Sequence, residues 1–206
     1  MKKILALLLV VSCVLALGSC KLFKKDPPAE ETPKFDTEAV AAIQAKIDAS
    51  APTAANVTVT LTSSLAKLNG EYDVTYNADG SATVVYYYEK LNSFDVNLDE
   101  LISSYEGTTT VGADGTVTDE LGGTASVEAI TFDINLDPSK IDTATVSAGI
   151  LSATVKAANA AAVIGVDVNA DVSLVVTTGS VGVTSVAISY VSAAGPVEIG
   201  ATYNYN

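Results

Sequence analysis

Three stretches place acidic and amide oxygens at alternate positions: Asp95-Val96-Asn97-Leu98-Asp99, Asp133-Ile134-Asn135-Leu136-Asp137 and Asp167-Val168-Asn169-Ala170-Asp171. Oxygen ligands at this spacing are what a calcium loop offers a hard cation, but such a loop also needs a glycine at its sixth position for the sharp turn. Here the sixth residue is Glu100, Pro138 or Val172, and the residues between the oxygens are apolar. The pattern is strand alternation, with carboxylates solvated on one side and apolar side chains facing a core, and no metal site is expected. Asp99 and Asp137 precede Glu100-Leu101-Ile102 and Pro138-Ser139-Lys140, where they are placed to cap short helical turns. Asp79 and Asp114 lie in Ala-Asp-Gly tripeptides, which is turn chemistry.

Enzyme chemistry has little to work with. The 206-residue chain has no His, so it offers no imidazole base, no Ser-His pair and no His-ligated zinc. All 11 basic residues are Lys, so no guanidinium can clamp a phosphate or carboxylate. Gly122-Gly123 sits between strand signals rather than in a phosphate-binding loop, and Ser64-Leu65-Ala66-Lys67 matches a Ser-x-x-Lys string without companion motifs. We expect a non-enzymatic protein with no cofactor. Tyr86-Tyr87-Tyr88 puts tyrosines on both faces of one strand, so that one is available to a binding surface while the others line a core or its rim.

Charge narrows the partners. Residues 20–36 balance four Lys against four acids, whereas residues 37–206 hold five Lys and twenty acidic residues, a net charge of −15. Such a body repels phosphate backbones, so nucleic acid is not an expected partner.

The elements that must position these residues follow from periodicity. Ala39, Val40, Ile43 and Ile47 make an apolar stripe at helical spacing, predicting a helix over 37–49 that starts at Asp36 or Thr37 and ends before Pro52. Beyond Pro52 the period becomes two. Val57, Val59 and Leu61 alternate with threonines, and Tyr72, Val74 and Tyr76 alternate with polar residues. Ala78-Asp79-Gly80 then turns the chain into Ala82–Tyr88, a hairpin in which Gly80 supplies a positive φ. Ala113-Asp114-Gly115 reads the same way. Phe94–Asp99 matches Phe132–Asp137 38 residues later, a weak internal repeat of strands. Strands are also expected over about 163–177, 181–191 and 196–205, with Lys156–Ile164 as a short Ala-rich helix or lid. The body thus reads as one helix followed by roughly ten antiparallel strands.

The N-terminus carries the most specific signal. Met1-Lys2-Lys3 is a basic start, and Ile4–Leu17 is an apolar run of about 14 residues, short for a membrane span. Leu17-Gly18-Ser19-Cys20 then resembles the bacterial lipobox. That resemblance implies cleavage before Cys20, a diacylglycerol thioether on its sulfur, and an acyl chain such as palmitate on its amine. Two or more acyl chains anchor a protein stably, where one binds reversibly. The only other cysteine, Cys13, lies in the signal, so the mature chain can form no internal disulfide. Residues 1–19 are thus a lipoprotein signal peptide and 20–36 a lipidated, Pro-containing flexible tether. Residues 37–206 form a single helix-plus-antiparallel-β domain held on the extracytoplasmic side of a membrane in the cell envelope.

A helix followed by about ten antiparallel strands suits a curved antiparallel sheet, an open half-barrel wrapped on the helix; the alternative is a β-sandwich. The first arrangement, behind a lipobox, is similar to the LolA/LppX-like lipoprotein carrier fold. The likeness rests on the helix at 37–49, the hairpin Tyr72–Tyr88 and the final run Ile199-Gly200-Ala201-Thr202-Tyr203. It implies a lipid or other apolar ligand held between sheet and helix. The inward alternates that would line such a site are Tyr72, Val74, Tyr76, Ile130, Phe132, Ile134, Val186, Ile188, Tyr190, Ile199 and Tyr203. The sandwich alternative carries a different function, a structural or adhesive surface module that contacts protein or glycan through its loops.

Overall fold

The computed structural model describes residues 35–63, 66–92, 102–114, 116–119, 124–126, 134–165 and 167–205. The expected signal peptide, Cys20 and nearly all of the expected tether lie outside these residues, as do Phe94–Asp99, Ile130 and Phe132.

Helix α1 spans Thr37–Asp48, and Asp36 caps it by accepting the Glu38 and Ala39 N–H groups on Oδ1, both at 3.0 Å. Its stripe of Val40, Ile43 and Ile47 is buried, each side chain contributing about 1.5–3 kcal/mol. A helix of this length does not persist alone in water, so that packing is what keeps it folded.

Among the described residues eleven strands follow: β1 (Ala54–Thr62), β2 (Ala66–Tyr76), β3 (Ala82–Asn92), β4 (Ile102–Val111), β5 (Thr116–Asp119), β6 (Thr124–Ser126), β7 (Ile141–Ser147), β8 (Ile150–Val155), β9 (Val172–Thr178), β10 (Val183–Ser192) and β11 (Gly195–Asn204). All belong to one antiparallel sheet in the order β6-β5-β4-β3-β2-β1-β11-β10-β9-β8-β7. One sheet replaces the two that a β-sandwich requires, so that alternative falls. The sheet is two meanders joined where β1 pairs β11, from Ala54↔Asn204 to Leu61↔Val197. Turn chemistry sets the β2–β3 register. Gly80 has φ +82°, and Asp79 Oδ1 accepts from the Ser81 N–H at 3.0 Å and from its hydroxyl at 2.6 Å.

β6 and β7 are consecutive in the chain yet lie at opposite edges. The sheet is open and curved, and α1 packs against its inner face over β7–β10.

One expected strand is not a strand, and another starts later than expected. Ile134–Asp137 keeps the alternation, with Ile134 and Leu136 buried and Asn135 exposed, but among the described residues it pairs with no strand. Its backbone bonds instead to helical partners: Asn135 N–H to the Val163 carbonyl at 2.9 Å and Leu136 N–H to Gln44 Oε1 at 2.7 Å. Asp137 does make the expected turn, accepting the Ser139 N–H at 2.9 Å. The strand expected over 163–177 begins only at Val172. The preceding residues form a 3₁₀ turn (Ala157–Asn159) and the short helix α2 (Ala160–Ile164), closed by Gly165 at φ +73°. Alanine favours helix over strand, and Ala160 and Val163 reach the core from α2. The third Asp-x-Asn-x-Asp stretch is a loop whose Asp171 bonds the Ala157 N–H at 3.2 Å and Lys156 at 2.9 Å.

Candidate functional site

Register across the strands assembles one concave face. One row runs Gly107, Tyr86, Tyr72, Val57, Ala201, Val186, Val176 and Leu151 from β4 to β8, and the next runs Gly70, Val59, Ile199, Ile188 and Leu174 from β2 to β9. Leu68, Leu61, Val197 and Tyr190 form a third.

Two packed clusters divide this face. The larger joins α1 and α2 to β7–β10 and buries Leu136, Leu151, Leu174 and Val176 among others. The smaller holds Ala55, Val74, Ala82, Val84 and Val111 on β1–β4, with Val57, Tyr72 and Tyr76 packed against it. Tyr203 touches both. Between them lie Val59, Leu61, Leu68 and Ile199, in register, half-buried and in neither cluster. These four make an apolar strip along the middle of the concave face, edged by Tyr72 on one side and by Ile188 and Tyr190 on the other.

The lining residues expected from sequence divide accordingly. Val74, Ile134 and Val186 are buried within the clusters. Tyr72, Tyr76, Ile188, Tyr190 and Tyr203 are half-buried against them, and Ile199 lies on the strip. Ile130 and Phe132 lie outside the described residues. Val59, Leu61 and Leu68 are not among the lining residues expected from sequence, although the alternation of residues 57–62 puts Val59 and Leu61 on one face.

The polar atoms of the face are mainly phenols. Burial pushes the Tyr72, Tyr76, Tyr190 and Tyr203 hydroxyls above the usual phenol range, reinforced at Tyr72 by Tyr86 and at Tyr203 by Tyr76 and Tyr205. They are neutral hydrogen-bonding groups at physiological pH. The convex face is different. Tyr87 stands between Glu71 and Glu106 in register and donates to Glu89 Oε1 at 2.6 Å. That bond and the three surrounding carboxylates raise its phenol. Val85 and Tyr87 are 51% and 39% exposed there.

Among the described residues no group of three His, Cys, Asp or Glu side chains is arranged to hold a metal, and no helix is long and apolar enough to cross a membrane. No protein-family model matches the sequence, and no curated protein does. Among solved structures the chain is similar to the crystal structure of LprF from Mycobacterium bovis, at 16% identity over 81% of this chain and 92% of that one, with a TM-score of 0.40.

Proposed function

We propose that this chain is a lipid-anchored, non-enzymatic protein of the cell envelope that holds a lipid or other apolar molecule on the concave face of its sheet. The reading rests on the strip of Val59, Leu61, Leu68 and Ile199, half-buried between two packed clusters and belonging to neither. A hydrophobic ligand gains about 25 cal/mol for each Å² of apolar surface it covers, and this strip offers such surface beside neutral phenols that can orient it. The lipobox at Cys20 supports the anchor, which would keep the concave face near a source of lipid.

Native mass spectrometry of a chain starting at Lys21, purified without detergent, tests the ligand. The expected result is a stoichiometric adduct that organic solvent removes and that Leu61→Lys prevents from forming again. A bare mass after incubation with mixed lipids would overturn the reading in favour of a surface module that contacts protein or glycan through its loops. Metabolic labelling with an alkyne fatty acid tests the anchor: label is expected on the full-length chain and absent from Cys20→Ala.

A further inference from the structure

The two edges of the sheet are unequal. β6 ends one of them with three residues, and β7 ends the other with seven. A very short edge strand offers little to another chain, whereas a longer one is a template for an extended segment. β7 turns into β8 through Ala148-Gly149, at φ +49° and +78°, and Ser147 and Ile150 close the hairpin. The closing pair of a two-residue turn exchanges hydrogen bonds, and the pattern then alternates along the strands. Thr143, Thr145 and Ser147 therefore bond to β8, and the N–H and C=O groups of Ala144 and Val146 point out of the edge. Among the described residues no strand, turn or cap bonds those groups.

Natural sheets blunt such an edge with lysine, proline or an inward-pointing charge. Thr143-Ala144-Thr145-Val146-Ser147 has none of these. The carboxylate on β7, Asp142, sits at the register shift that interrupts the ladder and pairs with Lys156 at 3.2 Å. α1 approaches β7 from the concave side, where Ala144 and Val146 pack against the larger cluster. Thr143, Thr145 and Ser147 are exposed on the convex side. Their neighbours on β8 and β9, Ser152, Thr154, Ser173 and Val175, are also uncharged. On a body of net charge −15, this edge lets two copies meet without setting carboxylates against each other.

We propose that β7 is a homodimerisation edge, at which Thr143–Ser147 pairs antiparallel with the same segment of a second copy about a twofold axis at Thr145. A row of backbone donors and acceptors accepts an extended chain, and this segment supplies both halves of the pairing. Ala144 exchanges hydrogen bonds with the partner's Val146, and Val146 with the partner's Ala144, about four bonds in all. Thr145 faces the partner's Thr145, and Thr143 faces the partner's Ser147, hydroxyl pairs of the kind that stabilise neighbouring strands. The axis stands normal to the sheet, so two eleven-stranded sheets become one and both concave faces open on the same side.

Sedimentation velocity of the full chain in detergent, at up to about 100 μM, should show a monomer–dimer equilibrium. Ala144→Pro deletes an outward N–H and no bond to β8, so it should weaken the dimer at least about tenfold while leaving the far-UV circular dichroism unchanged. Thr145→Lys sets like charges opposite each other at the axis and should weaken the dimer about threefold to fivefold, which keeps the pairing testable if the proline variant does not fold. Disulfide formation under mild oxidation reads the register. Thr145→Cys should cross-link to itself, because directly opposed residues lie within disulfide reach. Thr143→Cys and Ser147→Cys should cross-link when mixed, and Ser152→Cys, one strand further in, no more than wild type. A monomer at every concentration, a dimer that neither Ala144→Pro nor Thr145→Lys weakens, or Ser152→Cys cross-linking as readily as Thr145→Cys overturns the edge pairing.

Discussion

Gln44 holds Leu136 as a neighbouring strand would. Its Oε1 accepts the Leu136 N–H at 2.7 Å, and its Nε2 donates to the Ile134 carbonyl at 3.3 Å while also bonding Asp48 Oδ1 at 2.7 Å. One side-chain amide thus supplies the donor and acceptor that an extended segment needs, and fastens residues 134–136 to α1. Both flanking side chains, Ile134 and Leu136, are buried.

Gln44→Ala should therefore leave a part-buried N–H and carbonyl unpaired and destabilise the fold by about 1–3 kcal/mol. Hydrogen exchange at the Leu136 amide should speed up by more than the global loss of stability explains. Gln44→Glu keeps the acceptor but loses the donor, so it should fall between Ala and wild type. Unchanged exchange at Leu136 in Gln44→Ala would remove the clasp from consideration.

A second pair of side chains serves the start of β10. The Ser50 hydroxyl accepts the Val183 N–H at 2.9 Å and donates to the Lys46 carbonyl at 2.6 Å, while the Tyr205 hydroxyl donates to the Val183 carbonyl. Val183 is fully buried, and water cannot replace these partners there. Ser50→Ala should cost about 1–3 kcal/mol, read as a lower denaturation midpoint. Thr184→Ala nearby, where the residue is exposed and its hydroxyl donates to the Thr177 carbonyl, should cost about 1 kcal/mol or less. Equal losses in the two variants would contradict this account.

The β10–β11 turn depends on one glycine. Gly195 has φ +139°, and a Cβ there would lie 1.8 Å from the Thr62 carbonyl oxygen, a backbone atom that cannot step aside. Ser192 bonds both the Ala194 and Gly195 N–H groups at 3.2 Å and so holds the turn in that shape. Gly195→Ala is expected to cost at least about 2 kcal/mol, through backbone strain and displacement of β1. Gly165→Ala, with positive φ but open space around it, should cost about 1 kcal/mol from strain alone. Thermal denaturation of the two variants makes the comparison, and a Gly195→Ala protein as stable as Gly165→Ala would refute the steric argument.

How much of this was legible beforehand depended on whether the information was local. The stripe of Val40, Ile43 and Ile47 and the turn at Asp79-Gly80 are set by residues within a few positions of one another, and both are found where periodicity and turn chemistry put them. Alternation marks Ile134 and Leu136 as inward-facing on an extended chain but does not specify that chain's partner, so the expected strand is not found there. That partner is Gln44, 90 residues earlier. The pairing of Val59 with both Gly70 and Ile199 created the strip, and no local pattern specifies that the first strand meets the last. The close approach of Tyr86 to Gly107 was hidden for the same reason. Gly107 matters only because β4 brings it beside Tyr86.

The concave-face tyrosines make stability depend on alkaline pH. A free phenol ionises near about pH 10, whereas burial raises Tyr72, Tyr76, Tyr190 and Tyr203 in the folded chain. Above the ordinary value the unfolded chain therefore binds fewer protons than the folded one, so stability falls as pH rises. The stabilisation is complete below about pH 9 and drains away as pH climbs past about 10 toward the folded-state values. Denaturant midpoints measured from about pH 8 to 11.5 should be flat at first and then drop. Tyr203 sits in both clusters and has the largest rise, so Tyr203→Phe, which cannot ionise, should flatten that drop more than Tyr87→Phe does. Tyr87 is also raised, but by the Glu89 hydrogen bond and nearby carboxylates on an exposed face, where solvent screens the effect. An alkaline drop of the same steepness in Tyr203→Phe and wild type would mean that burial of this phenol is not what limits the fold at high pH.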